Sequence, residues 1–282
     1  MSFRSSRFPL NGVLVASLLA VVSLVSAGTA HASTLPTLSI AINSSSATVG
    51  GTLESGGVNV VSTDTGVKEA AVIVFLLKPG VSVAEAEAFT KEKKAARDPN
   101  NTAKLGSIVL DTETNPGQKS EVQTDLQPGQ YIVLVAAGEG EAKLRTSFTV
   151  TAAKSPATLP APQAKIRTIE FGFRGPSTLH DGELVGFENE GFLVHMDIAF
   201  PVKSENAATR VVNALLAGKE KGLEKLVVGA PVIFAGPLSH GAYEQETITA
   251  KPGWYVQACF MDTQDGRSHT RLGMERIIKI TK

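Results

Sequence analysis

Four side chains in the last third of the sequence have the residue types of a metal site. Cys259 is the only cysteine among the 282 residues, His269 follows ten positions later, and Met274 stands five positions beyond that histidine. His195 lies farther upstream. A thiolate, two imidazoles and a thioether are the donors that mononuclear electron-transfer copper sites use. These four residues are therefore the candidate ligands, and copper is the candidate metal.

The N-terminus indicates the compartment in which this cysteine is found. Arg4 and Arg7 precede an apolar run over 13–27, and the segment ends in Ala30-His31-Ala32. This order predicts a secretory signal peptide over residues 1–32. An uncleaved membrane anchor is the alternative. No later segment is long and apolar enough to cross a membrane, so we expect a chain exported to the periplasm or cell surface, with no membrane span after cleavage.

Export restricts the roles open to a single cysteine. In an oxidising compartment paired cysteines form disulfides, which leaves an unpaired one as an intermolecular bridge, a reactive thiol or a metal ligand. The alternative without chemistry is a small buried hydrophobic residue, a role that free cysteine fills well. The neighbouring histidines and the methionine favour the metal ligand.

Charge composition excludes some partners. Lysine and arginine total 27, and aspartate and glutamate also total 27. No basic tract is present, so neither nucleic acid nor an anionic membrane surface is an expected partner.

The two halves of the chain share a pattern. Pro-Gly-x-Tyr opens an apolar segment at 128–131 and again at 252–255, and residues 64–75 are similar to 189–200. A helix-like stretch follows in each half, at 83–96 and at 205–219. Self-similarity over about one domain length predicts an internal duplication.

A proline-rich segment separates the two similar halves. We predict a first domain over 33–152, a stiff linker over 153–164 and a second domain over 165–282. Short strands bounded by glycine, proline, aspartate and asparagine dominate both halves, which favours an antiparallel sandwich. The predicted fold is all-β: two tandem Greek-key β-sandwich domains, each with a short inserted helix. Tyr131 and Tyr255 stand where such folds place a tyrosine corner.

The first half serves as an internal control for the candidate ligands. Aligning the Pro-Gly pairs places Val135 at the position of Cys259, and aligning Gly66 with Gly191 places Ala70 at the position of His195. No histidine or methionine lies between residues 137 and 150. The chemistry is therefore predicted only in the second domain, and the first is interpreted as a degenerate, metal-free copy.

The second half resembles the cupredoxin family of blue-copper proteins. Members carry one histidine near mid-domain and a Cys…His…Met cluster near the C-terminus, as His195, Cys259, His269 and Met274 do. A tyrosine four residues before the cysteine, here Tyr255, is also common in the family. The H-x4-M spacing matches plastocyanin-like members, whereas the separation between Cys259 and His269 is longer than in plastocyanin-like or azurin-like members.

The resemblance implies one type 1-like copper ion with His195, Cys259 and His269 as equatorial ligands and Met274 as the weak axial ligand. It also implies single-electron transfer, with the edge of the His269 ring facing solvent as the electron entry point. The partner would be a redox protein or a copper donor or acceptor.

Two other functions are open on the sequence alone. One is copper storage or delivery without electron transfer, since thiolate and thioether suit Cu(I). The other is a metal-free exported interaction module. An enzyme is not expected, because no acyl-transfer motif surrounds Cys259, no His-x-His pair of a multicopper oxidase occurs and no glycine-rich phosphate loop opens a helix.

Overall fold

The computed structural model describes residues 35–92, 98–138 and 140–282. The predicted signal peptide, residues 1–32, lies outside the described residues and stays a prediction. Among the helices of the described ranges, none is long and apolar enough to span a membrane.

Within these ranges the chain forms seventeen strands and two α-helices. In the first half they are β1 Thr37–Ile42, β2 Ala47–Gly51, β3 Gly56–Asp64, β4 Ala70–Leu77, α1 Val83–Thr90, β5 Gly106–Thr114, β6 Lys119–Leu126, β7 Gly129–Ala137 and β8 Lys143–Val150. In the second half they are β9 Ala164–Ile169, β10 Gly172–Arg174, β11 Thr178–His180, β12 Leu184–Asn189, β13 His195–Val202, α2 Glu205–Leu216, β14 Val232–Leu238, β15 Tyr243–Thr247, β16 Gly253–Ala258 and β17 Glu275–Thr281.

Each half is built as two sheets. In the first half, β5-β4-β7-β8 forms one sheet and β6-β3-β1-β2 the other. In the second half, β11-β17-β16-β13-β14 forms one sheet and β10-β9-β12-β15 the other. Each half has its own apolar core, centred on residues such as Ile40 and Val133 in the first and Phe187 and Phe234 in the second. The all-β prediction is confirmed, and each half carries one α-helix.

The two sandwiches share a sheet, which the sequence did not indicate. Strand β15 pairs antiparallel with β6, at Glu244↔Thr124 and Gln245↔Gln123, so that four strands from each half form one eight-stranded sheet. The Gln245 side chain also donates to the Gln123 side chain at 2.8 Å. The domain limits 33–152, 153–164 and 165–282 stay predictions. In the proline-rich segment, the Ala157 carbonyl accepts from Gly57 N–H at 2.7 Å.

The two helices begin where the sequence predicts. Ser82 and Glu85 form a capping box at α1, which satisfies backbone N–H groups that have no partner within the helix. Ser204 caps α2 by accepting from Ala207 N–H. The apolar face of α2 packs against β16 on the outside of the five-stranded sheet.

Both predicted tyrosine corners are present. The Tyr131 hydroxyl donates to the Gln127 carbonyl and the Tyr255 hydroxyl to the Lys251 carbonyl, each at 2.7 Å. Both bonds span four residues and fix the entry to β7 and β16 respectively. The corner at Tyr255 therefore anchors the strand that leads to Cys259.

Strands β4 and β7 are buried on both faces. Along β4, Val72 and Val74 belong to the core of the first sandwich, whereas Ile73 and Phe75 belong to a second apolar cluster that also contains Cys259. A strand covered on both sides needs a continuous apolar sequence, as in the AAVIVFLL of β4. The outer face of the first sandwich is thus packed against the second domain at the candidate ligands.

Buried carboxylates lie at the junction of the two halves. Glu244 and Glu246 line an open cleft of about 530 Å³, and Glu244 is only 2% exposed. Burial, reinforced by the nearby carboxylates of Glu246 and Asp111, raises the pKa of Glu244 well above its usual range. Burial also raises the pKa of Glu246 to about 8.

We expect Glu244→Gln to stabilise the protein at pH 8 but not at pH 4. A carboxyl whose pKa is raised by folding keeps a proton that the unfolded chain releases, so stability falls as pH rises above about 4.3. The amide avoids this loss. Urea unfolding of the variant and wild type at both pH values measures it, with the exposed Glu224→Gln as control. An equal gain at pH 4 and pH 8 would contradict the explanation.

Candidate metal centre

Three of the four candidate ligands converge in the structure. His195 is the first residue of β13, Cys259 directly follows β16, and His269 opens a short 3₁₀ helix, His269–Leu272. Strands β13 and β16 are neighbours in one sheet, which brings the first two side chains together. The donor atoms of His195, Cys259 and His269 all lie within 4.8 Å of one another.

The long segment between Cys259 and His269 is folded back on itself. An antiparallel bridge joins Asp262 to Ser268, and His269 N–H donates to the Met261 carbonyl at 2.8 Å. These contacts order the loop. Although this loop is longer than in plastocyanin-like members, it still brings His269 next to Cys259.

The distances between the donor atoms fit a single metal ion. His195 Nδ1 lies 3.2 Å from His269 Nδ1, and Cys259 Sγ lies 3.3 Å from His269 Nδ1 and 3.9 Å from His195 Nδ1. By plane geometry, the point equidistant from the corners of a triangle with these sides is about 2.0 Å from each. Bonds from transition metals to imidazole and thiolate are about 2.0–2.3 Å. The three side chains therefore fit a metal ion bound between them.

Met274 lies beside this triangle through its backbone. Its N–H donates to the His269 carbonyl at 3.0 Å, and its own carbonyl accepts from Cys259 N–H at 3.1 Å. The side chain is fully buried in the same apolar cluster as Cys259. The backbone thus places Met274 next to two of the three clustered residues, and its role as the axial ligand stays a prediction.

Burial keeps the three donors neutral in the metal-free chain. It raises the pKa of the Cys259 thiol to about 12. Burial, with His195 close by, lowers the pKa of His269 to about 3. Burial also lowers the pKa of His195, which Glu170 opposes. Neutral imidazoles keep a lone pair for a metal, and a bound cation favours the thiolate form of cysteine.

The expectation that the His269 ring faces solvent is wrong. His269 is 0% exposed, and its Nε2 atom has no hydrogen-bond partner among the described residues. The Phe171 ring packs edge-on against it, with ring centroids 5.0 Å apart. The 3₁₀ helix that carries His269 also packs against α2. Phe171 and α2 together account for the burial of the His269 ring.

The turn before His195 is held by polar contacts. The Asn189 side chain donates to the Leu193 carbonyl at 2.8 Å and accepts from Gly191 N–H at 2.9 Å. The Glu170 carboxylate accepts from Leu193 N–H at 2.7 Å and lies 3.3 Å from His195 Nε2. The pKa of Glu170 is lowered overall: burial acts to raise it, but the hydrogen bonds from Leu193 and His195 outweigh that effect.

The first domain contributes a residue to this region. The Asn100 side chain, on the 3₁₀ helix Pro99–Lys104, accepts from Val194 N–H at 2.6 Å in a buried position. Val194 immediately precedes His195. Sequence reasoning missed both Asn100 and Glu170, because each is far from the ligands along the chain. The Asp98-Pro99 pair signals the start of the short helix but not its contact.

Comparisons with known proteins give fold-level neighbours only. No family model and no curated protein matches the chain. An auracyanin from Roseiflexus castenholzii is 21% identical with a TM-score of 0.27, over 42% of this chain and 95% of that one. Auracyanin A, a "blue" copper protein from Chloroflexus aurantiacus, is 20% identical with a TM-score of 0.25, over 42% and 96%. The copper-containing nitrite reductase of Thermus scotoductus is 12% identical with a TM-score of 0.25, over 87% and 68%.

Scores this low carry no argument by themselves. The cupredoxin-like character of the C-terminal half rests on its two-sheet sandwich and on the His195, Cys259 and His269 side chains clustered at one end of neighbouring strands. The first half has a comparable sandwich, with Val135 and Ala70 in its apolar core. Its origin as a degenerate copy stays a prediction.

We expect Asn100→Ala to destabilise the protein by about 1–3 kcal/mol, because it leaves the buried Val194 N–H without its acceptor. The neighbouring exposed Asn101→Ala should change stability by less than about 0.5 kcal/mol. Urea unfolding of both variants measures the difference. Equal stability of the two would show that the contact contributes nothing to this region.

Proposed function

We propose that the chain is an exported copper-binding protein that transfers single electrons at one mononuclear, type 1-like site. His195, Cys259 and His269 are its equatorial ligands and Met274 is its weak axial ligand. The observation that carries the proposal is the triangle of two Nδ1 atoms and one Sγ atom with sides of 3.2, 3.3 and 3.9 Å.

The donor set supports copper over zinc. Thiolate and imidazole bind both copper and zinc, whereas a thioether suits copper and is absent from the usual zinc ligands, so Met274 favours copper. When bound, copper supplies a one-electron couple. The chain itself supplies fixed donors, because Cys259 and Met274 are joined by a backbone hydrogen bond and His269 is tied to Met261 in the same way.

Burial of the site supports electron transfer without substrate turnover. Cys259 and His269 are 0% exposed and His195 is 1% exposed, so the cluster offers no open position to a substrate. A fixed, dry set of donors limits rearrangement when the metal changes oxidation state. We therefore propose an electron carrier rather than an enzyme, with a redox protein or a copper donor or acceptor as partner.

Export is part of the same proposal. The predicted signal peptide over 1–32 places the chain in the periplasm or at the cell surface, where an unpaired cysteine is best kept as a buried ligand. The first domain is proposed to be a metal-free relative of the second. The equivalent tyrosine corners at Tyr131 and Tyr255 support this duplication.

We expect the copper-loaded full chain to show an intense thiolate-to-copper charge-transfer band that Cys259→Ser abolishes. Loss of a residue that only contacts a ligand typically weakens metal binding by roughly 10–100-fold. His269→Ala removes a ligand itself, so it should weaken copper binding by more than that. His180→Ala removes an exposed histidine that contacts Thr281 and Lys282, and it serves as the matched control. Visible spectra and copper titrations measure both quantities. A wild-type protein without the band, or an unchanged titration for Cys259→Ser, would refute the proposal.

We expect Met274→Leu to keep the band but to raise the reduction potential, because losing an axial donor destabilises the more highly charged Cu(II) more than Cu(I), and the axial ligand tunes blue-copper potentials. Met261→Leu changes a neighbouring buried methionine outside the ligand set and should leave the potential unchanged. Spectroelectrochemistry of the two variants and wild type tests the axial role. Equal potentials for all three would remove Met274 from the ligand set.

A further inference from the structure

A carboxylate lies against the candidate metal ligands at the turn between β9 and β10. Glu170 Oε1 lies 3.3 Å from His195 Nε2, the ring nitrogen that does not face Cys259. Resting on the function proposed above, we propose that Glu170 is a positioning residue, which orients the His195 ring and lowers the reduction potential of the bound copper.

The orientation follows from the two nitrogens of the ring. An Nε2–H group donates to the Glu170 carboxylate, which leaves the Nδ1 lone pair directed at Cys259 and His269. The carboxylate itself is held by Leu193 N–H at 2.7 Å. A carboxylate behind a ligand histidine fixes its tautomer and raises its strength as a donor.

The turn between β12 and β13 leaves no room for a side chain at the point where Glu170 meets His195. A Cβ atom added to Gly191 would lie 2.6 Å from Glu170 Oε1 and 2.7 Å from His195 Nε2. The Asn189 side chain holds Gly191 in place by accepting its N–H at 2.9 Å. Glycine at this position therefore allows the carboxylate and the imidazole to meet.

The two histidines differ in their outer partners. His195 has the Glu170 carboxylate, whereas His269 Nε2 is buried with no hydrogen-bond partner in the described part of the chain. A negative charge close to the site stabilises Cu(II) more than Cu(I), because Cu(II) carries the larger positive charge. The Glu170 side chain is 27% exposed, so solvent screens this effect only in part.

The test compares Glu170→Gln with Glu190→Gln in the copper-loaded full chain. Glutamine keeps an oxygen that accepts from Leu193 N–H and removes only the charge. Glu190 lies in the turn between β12 and β13, which leads to His195, but its carboxylate contacts Arg167 at 3.5 Å, which makes it the matched control. We expect Glu170→Gln to weaken Cu(II) binding by about 10–100-fold, with Cu(I) binding little changed. A tenfold loss of this kind raises the reduction potential by about 59 mV.

Copper titrations, spectroelectrochemistry and thermal unfolding of the metal-free variants supply the readouts. A raised potential with an unchanged unfolding temperature supports the role of the Glu170 charge behind His195, since a merely structural role would move the unfolding temperature instead. A wild-type band with equal potentials for all three proteins overturns this inference and leaves the proposed function intact. If copper binds without a redox couple, equal Cu(II) affinities overturn it. A wild-type chain that binds no copper overturns both.

Discussion

The burial of three lone-pair donors around one point is the constraint on which the rest of the structure depends. Two imidazole nitrogens and a cysteine sulfur lie within 4 Å of one another and away from water. Buried polar groups cost free energy unless they find partners, and His269 Nε2 finds none among the described residues. A metal bound between the two Nδ1 atoms and the Cys259 sulfur would offset the cost of burying those three donors. Packing must therefore hold the donors in place before any metal arrives.

The first domain helps to provide that packing. Strands β4 and β7 are buried on both faces, and one face of their sheet belongs to the apolar cluster around Cys259. Asn100 crosses the boundary to hold Val194, and β6 pairs with β15 in a shared sheet. If the first domain only separated the second from other parts of the protein, neither the Asn100 contact nor the shared sheet would be needed. Phe171 packs against the His269 ring and α2 against the short helix that carries it, whereas the Glu170 side chain beside His195 is 27% exposed.

Local patterns in the sequence predicted the fold and the ligand cluster well. Short strands bounded by turn residues, the Ser204 cap and the tyrosine corners depend on neighbouring residues, and all were found. His195, Cys259 and His269 were predicted from residue types and a family resemblance. The burial of His269, the shared sheet and the contacts of Asn100 and Glu170 were not predicted, because they depend on contacts between segments far apart in the chain. One such signal was present in the continuous apolar sequence of β4, which is typical of a strand covered on both faces.

The central claim is that one metal ion is bound by two imidazoles and the Cys259 thiolate. X-ray absorption at the copper edge of the loaded full chain tests it directly, since it reports the atoms bound to the metal whatever the redox behaviour. We predict one sulfur and two imidazole nitrogens at about 2.0–2.3 Å, with the sulfur lost in Cys259→Ser. A shell of oxygen and nitrogen alone, or a shell unchanged by that substitution, would contradict it.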